Sequence, residues 1–162
     1  MARWDDVVGE APALVEHARR VFDAHKHKML ATLRSDGSPR LSGIEANVVQ
    51  GDLWLGMMDQ SRKALDLLRD PRLALHSAPA DPEMADGDAK IAGRAVEVDD
   101  PATKKEFIAA QGNPPDEVPE PFHLFRVDVS EVVVITLGGD PPDHLVIETW
   151  REGRGVTRVE RR

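Results

Sequence analysis

The sequence predicts a mainly β protein, an antiparallel β-barrel with a few peripheral helices. Segments rich in strand-forming residues outnumber helical segments, and tight turns join consecutive strands, which is typical of barrels. Hydrophobic residues make up 41% of the 162 positions, enough for one core. Neither an internal repeat nor an interior linker divides the chain. We therefore expect a single domain that spans residues 1–162.

The composition excludes several classes of protein. The net charge is −8, so the chain as a whole should repel nucleic acid and anionic membranes. The chain has no cysteine, which excludes disulfides, thiolate metal sites and thiol catalysis. Neither a signal peptide nor an apolar run of membrane-spanning length is present. These features predict a soluble cytoplasmic protein that binds neither nucleic acid nor a membrane.

The first third of the chain is predicted to form one helix and then a three-stranded meander. Apolar residues recur at helical spacing over about residues 11–24. The strands that follow are Lys28–Arg34, Arg40–Val49 and Leu53–Met58. Turn-forming residues at 35–38 and 50–52 connect them as antiparallel neighbours.

Two short helices and five further strands are predicted in the rest of the chain. The helix at Ser61–Arg69 has a serine cap and ends before a proline, and the helix at Asp99–Gln111 has an acidic start with an early proline. The strands are Arg72–Ser77, Ala89–Val98, Phe122–Val129, Glu131–Leu137 and His144–Trp150. Loops at 78–88 and 112–121 and an arginine-rich tail at 151–162 complete the chain.

The start of the second predicted helix carries two cations, Arg62 and Lys63, next to the capping residue Ser61. A helix N-terminus is partially positive, so each cation there costs about 0.3–1 kcal/mol. A bound anion reverses that sign, because the unpaired backbone N–H groups and both side chains would point at it. Alternatively, both side chains point to solvent, where screening makes the cost negligible. The turn alone leaves both interpretations open.

Three motifs around this turn carry a resemblance to a known family. They are DGSPRL at 36–41, SRKALDLLRDPRLAL at 61–75 and AGRAVEVDDP at 92–101. In their order and spacing the chain resembles the pyridoxamine-phosphate-oxidase-like split-barrel superfamily over about residues 28–101. It is most similar to the actinobacterial branch, which binds FMN or the deazaflavin F420. The resemblance implies an antiparallel Greek-key split β-barrel of the FMN-binding type, which forms a homodimer with two cofactors in the interface grooves.

The resemblance also implies roles for particular residues. The turn at 61–63 would hold the cofactor phosphate, the backbone of residues 42–45 would face the ring, and Met57 and Met58 would lie along the cofactor. Alternatively, at least one of these methionines fills the core. The implied cofactor-binding residues are Ser42, Gly43, Ile44, Glu45, Met57, Met58, Ser61, Arg62, Lys63, Trp150 and Arg158.

The C-terminal tail matches the family's oxidases less closely. Those enzymes end in a tryptophan followed by an Arg-x-His pair, and here Trp150 and Arg158 take the first two positions while Glu160 replaces the histidine. The chain also has no tyrosine, the residue type that helps those oxidases grip the substrate phosphate. Both departures speak against true pyridoxamine-phosphate oxidase activity. The tail at 151–162 is either a solvated end or a cationic wall for an anionic cofactor or substrate.

The histidines offer few catalytic or metal-binding candidates. His25 and His27 have no visible third ligand, so we predict no metal site. His123, on a predicted aromatic strand, is a candidate general acid or haem ligand, and the alternative is a half-buried, hydrogen-bonded histidine. His76 is the other histidine that could ligate haem.

The family resemblance implies a flavin- or deazaflavin-dependent oxidoreductase that transfers hydride between the cofactor ring and a small organic substrate. The frequent use of Arg, Ala, Asp and Val indicates a high-GC genome, which modestly favours F420 over FMN. Two other functions remain open. One is a non-catalytic flavin or F420 carrier without a substrate pocket beside the ring, and the other is a haem-binding split barrel.

Overall fold

The computed structural model describes residues 1–78, 83–114 and 121–162, so the predicted loops at 78–88 and 112–121 lie partly outside it. The helices are α1 (Trp4–Glu10), α2 (Pro12–Asp23), α3 (Arg62–Arg69) and α4 (Pro101–Ala110). The strands are β1 (His27–Leu33), β2 (Pro39–Val49), β3 (Asp52–Met58), β4 (Arg72–His76), β5 (Asp88–Glu97), β6 (Phe122–Gly138), β7 (His144–Arg151) and β8 (Gly155–Arg161). Among the described residues, no helix has the length and apolar character needed to cross a membrane.

The strands form one antiparallel sheet that closes on itself. Their order is β3-β2-β1-β4-β5-β6-β7-β8, and β3 also pairs with β6. The first six strands therefore make a closed barrel, and β7 and β8 extend the sheet beyond it. The neighbours β4-β1-β2-β3 have Greek-key order. The predicted antiparallel Greek-key split barrel is confirmed.

Local turn chemistry explains the meander from β1 to β3. Gly37 has a φ of 81°, and Asp36 accepts a hydrogen bond from the Ser38 N–H at 2.9 Å. Gln50 and Gly51 have φ angles of 49° and 79°. Two consecutive left-handed residues are what a tight two-residue hairpin requires. These turns fix strands β1, β2 and β3 as neighbours.

Helices α1 and α2 complete the core. Inside the barrel, Leu30, Leu55 and Phe125 are almost fully buried. Residues of both helices, among them Trp4 and Phe22, belong to the same hydrophobic cluster. A second cluster joins α4 to strands β3 and β6; its buried members are Trp54, Phe107, Ile108, Phe122 and Leu124.

Strand β6 differs from the prediction. Two strands, Phe122–Val129 and Glu131–Leu137, were expected, but residues 122–138 form one strand. Its first half pairs with β3 and its second half with β7, while β5 pairs along both halves. A register shift between Ala92 and Gly93 lets β5 follow the bend of β6. A Cβ atom on Gly93 would collide with the Asp128 carbonyl, so this position requires glycine.

The end of the chain is a strand, a feature that the arginine-rich composition did not predict. Residues 155–161 form β8, and each of them pairs with a residue of β7. Gly153 and Gly155 adopt positive φ angles of 73° and 69° and make the turn between the two strands. Six of the seven β8 residues are exposed in the single chain. Arg158 and Arg161 therefore lie on an ordered edge strand and do not belong to a frayed tail.

Candidate anion-binding site at the start of helix α3

The barrel is split where β2 and β3 separate. β2 pairs with β3 only over Ala46–Val49, whereas it pairs with β1 over Pro39–Glu45. Over this second stretch, one edge of β2 has no neighbouring strand. The start of α3 lies at this edge, where Lys63 Nζ donates a hydrogen bond to the Gly43 carbonyl at 2.7 Å.

Helix α3 is fixed in place by its buried face. Ala64 and Leu67 are buried at helical spacing in the main core. Between them Asp66 is only 3% exposed, and it is surrounded by donors. Its carboxylate accepts hydrogen bonds from Thr32 Oγ1 at 2.8 Å, from Arg40 Nε at 2.6 Å and from Arg69 at 2.9 Å.

This network decides the ionisation of Asp66. Burial, the largest single influence, raises the pKa of the Asp66 carboxyl. The hydrogen bonds from Arg40, Arg69 and Thr32 together outweigh burial, so the pKa lies below its ordinary value of 3.8. The carboxylate is therefore charged at neutral pH and ties α3 to β1 and β2.

A tight turn leads from β3 into α3. The Ser61 N–H donates to the Met58 carbonyl at 3.2 Å, and Gln60 adopts a φ of 58°. A non-glycine residue with positive φ is uncommon and costs energy. The turn places Ser61 at the N-cap of the helix.

Two polar side chains at this helix start lack partners among the described residues. Ser61 makes no side-chain cap, and its buried Oγ has no hydrogen-bond partner there. Arg62 is exposed, and no hydrogen bond or ion pair to another described residue involves its guanidinium. Lys63 donates to the Gly43 carbonyl, and burial lowers the pKa of its ammonium. A hydroxyl, an arginine and an ammonium thus belong to the first residues of a helix, whose backbone N–H groups have no intrahelical acceptor, a set that suits a phosphate.

Among the residues predicted for the ring, Gly43 lies nearest to this site. The N–H and C=O of a strand residue point to the same edge, so the Gly43 N–H also faces the unpaired side of β2. By alternation the backbone of Glu45 faces that side, whereas Ser42 and Ile44 face β1. A Cβ atom built on Gly43 meets nothing within 4 Å, so the space above it is open.

The two methionines at the end of β3 point in opposite directions. Met57 is 4% exposed and belongs to the main core, whereas Met58 is 78% exposed. Only Met58 therefore presents its side chain to a ligand in the split.

Trp150 and Arg158 lie away from helix α3. Trp150 is fully buried in the main core, and its indole N–H donates to a carboxylate oxygen of Glu10 at 2.9 Å. Arg158 lies on β8 and approaches Glu160 at 3.4 Å. Within one chain the structure does not bring either residue to Ser61. A tryptophan with no exposed surface cannot contact a cofactor, so we do not carry Trp150 into the candidate site.

His123 lies at the same end of the barrel as the turn. It is paired in register with Met57, and its side chain is 15% exposed. Its Nδ1 lies 2.8 Å from Glu97 and its Nε2 lies 3.4 Å from Asp59. Nδ1 is thus within hydrogen-bond distance of a carboxylate, whereas Nε2 has only the longer contact to Asp59 and makes no hydrogen bond within the described residues.

The sequence reasoning missed Arg40, Asp66 and Asp59 as parts of this site. An acidic residue between two buried helix positions is a signal for Asp66, because a buried carboxylate needs partners. Arg40 and Asp59 give no comparable signal, since only the folded barrel brings them to their partners. Among the described residues, no group of three or more His, Asp or Glu side chains could hold a metal ion.

A cavity lies beside β2 at residues 45–49, beyond Gly43 along the strand. Its volume is about 440 Å³, and it lies between the end of α2, the start of β1, β2 and the end of α4. Glu45 lines it and pairs with Lys26 at 3.3 Å. Gln111 Nε2, also in the lining, is buried without a hydrogen-bond partner among the described residues. The cavity is polar and opens two residues along β2 from Gly43.

Comparison with known proteins identifies one family. The family model described as pyridoxamine 5'-phosphate oxidase matches residues 14–135, more than half of the chain. No curated protein matches.

Solved structures share the fold at low sequence identity. PhzG from Burkholderia lata, in complex with tetrahydrophenazine-1-carboxylic acid, has a TM-score of 0.67 and 15% identity, and the match covers 97% of this chain and 94% of that one. A putative pyridoxamine 5'-phosphate oxidase from Listeria innocua gives 0.60 and 15%, covering 74% and 95%. A heme binding protein from Mycobacterium smegmatis gives 0.56 and 17%, covering 93% and 88%.

Proposed function

We propose that this chain, which belongs to the pyridoxamine 5'-phosphate oxidase family, binds FMN or F420 and acts as an oxidoreductase on a small organic substrate. The observation that carries the proposal is the unpaired, buried Ser61 hydroxyl at a helix start flanked by Arg62 and Lys63. A buried polar group without a partner is costly, and a cofactor phosphate would supply the missing acceptor.

The cations fit the same phosphate. Arg62 has no partner among the described residues and can reach an anion with its planar fork. Lys63 is held by the Gly43 carbonyl, and its lowered pKa shows that the folded chain opposes its charge. A phosphate beside it would reverse that effect. The three side chains thus become favourable together only when an anion is bound.

The cofactor ring would lie along the free edge of β2. The open space above Gly43 leaves room for a flat ring, and the backbone of Gly43 and Glu45 offers hydrogen-bonding groups to its edge. When bound, a flavin or deazaflavin supplies the hydride chemistry. The chain's own residues hold the cofactor and leave the polar cavity beyond Glu45 for the substrate.

A second copy of the chain would complete the groove. The strand registers place five exposed apolar side chains on one outer face of the sheet; they are Met29, Leu41, Leu137, Leu145 and Val159. An exposed apolar face of this kind marks an interface, and most soluble homo-oligomers are two-fold dimers. Gly43 is paired with Met29 at the edge of this face, so a partner seated there would cover the cofactor. Light scattering tests this, because a monomer would leave the groove open.

The direct test is titration of the purified protein with FMN and with F420, followed by fluorescence. Replacing both cations, Arg62→Ala with Lys63→Ala, should weaken binding of the preferred cofactor by about 10- to 100-fold, since hydrogen bonds to charged groups contribute about 1.5–3 kcal/mol. Lys105→Ala is the matched control, because Lys105 is an exposed cation on a different helix, α4. Unchanged binding in the double variant would contradict the proposed phosphate site.

A second experiment, iodide quenching of the bound ring, separates an oxidoreductase, whose ring is accessible to small molecules, from a carrier.

A haem-binding barrel is a second candidate, and His76 is the observation that favours it. His76 Nδ1 lies 2.6 Å from the Ser77 carbonyl, which can only accept, so the neutral ring keeps a free lone pair on Nε2. His76 is paired with Met29 on the apolar outer face. A similar structure is a heme binding protein. A Soret band that is lost in His76→Ala but kept in His123→Ala would support this candidate over the flavin.

A further inference from the structure

We propose that His123 is a positioning residue that locks the turn before α3 through Asp59, and so sets the affinity of the anion site. This inference rests on the proposed function of that site. It replaces the expected role of His123 as a general acid.

The imidazole is fixed between two elements of the barrel. Its ring is stacked on Phe125, with centroids 6.0 Å apart and planes 22° apart. Nδ1 lies 2.8 Å from Glu97 Oε1 at the end of β5. Nε2 lies 3.4 Å from Asp59 Oδ1, which is an ion-pair contact, since no hydrogen-bond partner of Nε2 occurs among the described residues. The ring therefore bridges β5 to the end of β3.

Holding both carboxylates requires two N–H groups. A carboxylate can only accept, and a neutral imidazole has one N–H, so both contacts are favourable only for the doubly protonated ring. Among the described residues, a further charged pair at this end is Asp99 and Lys104, which lie 2.6 Å apart. The hydrogen bond from Lys104, and more weakly the charge of His123, lower the pKa of the Asp99 carboxyl. Lys104 is thus occupied by Asp99 and does not neutralise Asp59 or Glu97.

Asp59 transmits this bridge to the anion site. It is the second residue of the Met58–Ser61 turn, followed by Gln60 in its unfavourable left-handed conformation. Such a conformation persists only where neighbouring contacts hold it. With the doubly protonated ring in place, Asp59 is tethered to β6 and the turn holds Ser61 at the N-cap of α3. When the ring loses one proton, the longer contact to Asp59 is the one released, and the turn loosens.

The molecule contains a matched control. His144 is 16% exposed and also faces two carboxylates, Asp143 at 2.6 Å and Glu160 at 3.7 Å. It lies on β7, at the other end of the sheet order from α3. His144→Gln therefore removes an equivalent bridge without touching the turn.

The first measurement needs no cofactor. In ¹H–¹⁵N spectra recorded over a series of pH values, the Ser61 and Arg62 amides should shift together with the signals of the His123 ring. This shared titration should vanish in His123→Gln and in Asp59→Asn and persist in His144→Gln. Asp59 is 39% exposed, so Asp59→Asn tests the link even if His123→Gln fails to fold. The proposal is wrong if the Ser61 and Arg62 amides do not follow the titration of the His123 ring, or if they still follow it in Asp59→Asn.

The second measurement uses inorganic phosphate as the probe at about pH 6. Phosphate should shift the Ser61 and Arg62 amides of the wild type, and its dissociation constant should rise about 5- to 10-fold in His123→Gln and Asp59→Asn, as expected for one lost charged contact. It should not change in His144→Gln. Equal affinities in all four proteins would overturn the positioning role. No phosphate binding to the wild type would instead refute the proposed function, while the pH titration still decides whether the bridge exists.

Discussion

The two ends of the α3 region differ in how their polar groups are satisfied. Around Asp66 every charge has a partner, because Arg40, Arg69 and Thr32 all donate to one buried carboxylate. Around Ser61 the hydroxyl and the Arg62 guanidinium have no partner among the described residues. A closed network of this kind fixes a helix, whereas open polar groups destabilise the free protein slightly and favour a ligand. The group that we assign to stability, Asp66, and the group that we assign to binding, Ser61, thus lie five positions apart along one helix.

The largest loss of stability is expected when the hydrogen-bond network around Asp66 is broken. Asp66→Ala leaves Arg40 and Arg69 without their anion and should lower the free energy of unfolding by about 3–5 kcal/mol. Urea denaturation followed by circular dichroism measures this. Glu106→Ala, an exposed change on α4, is the control and should stay within about 0.5 kcal/mol. A loss below about 1 kcal/mol for Asp66→Ala would show that the network does not hold the helix.

A smaller loss of stability should appear when the wild-type protein is acidified. The folded pKa of Asp66 is lowered below 3.8, so its charge stabilises the fold above that value and the contribution is lost as the pH falls through the folded pKa. We expect the free energy of unfolding to drop below about pH 4 by more in the wild type than in Asp66→Asn. Urea midpoints at pH 6, 4 and 3 measure the difference, and parallel curves for the two proteins would contradict this assignment.

The smallest effect on stability is expected at the open end. Ser61→Ala removes a hydroxyl that has no partner, so the free energy of unfolding should change by less than about 0.5 kcal/mol or increase. Cofactor affinity should nevertheless fall about five- to tenfold, because the bound phosphate loses one hydrogen bond. Thermal melts and fluorescence titration give the two numbers. A large loss of stability together with unchanged affinity would reverse the roles that we assign to the two ends.

Local sequence predicted the parts of the fold that depend on neighbouring residues. The turns at 35–38 and 50–52 and the serine at the start of α3 carry their own conformational preferences, so the meander and the helix could be read directly. The closure of β3 on β6 could not, because it pairs residues far apart in the sequence. The same limit hid the single strand β6, whose continuity depends on the register shift beside Gly93.

The candidate site, like the fold, was predictable only where it depends on residues that are neighbours in the sequence. The cations at the helix start break a local electrostatic rule, which makes them visible in the sequence. Trp150 shows the opposite case, because a tryptophan near a chain end suits either a ligand or a core. Its burial against Glu10 depends on α1, a helix that lies before the predicted one at 11–24 and that the sequence analysis did not predict. Asp59 lies in the turn after β3 and His123 lies on β6, and no pattern of spacing in the sequence links the two residues.

The pairing of β3 with β6 also has a consequence for the order of folding. Leu53 meets Val127 across this seam, whereas β1, β2 and β3 contact one another through short turns. Contacts between distant parts of a chain form slowly, because a long loop must close before they gain anything. We expect the meander to form early and the seam to close after it. The Asp59 turn follows β3 at this seam, so the groups of the candidate anion site would assume their final positions only after the barrel has closed.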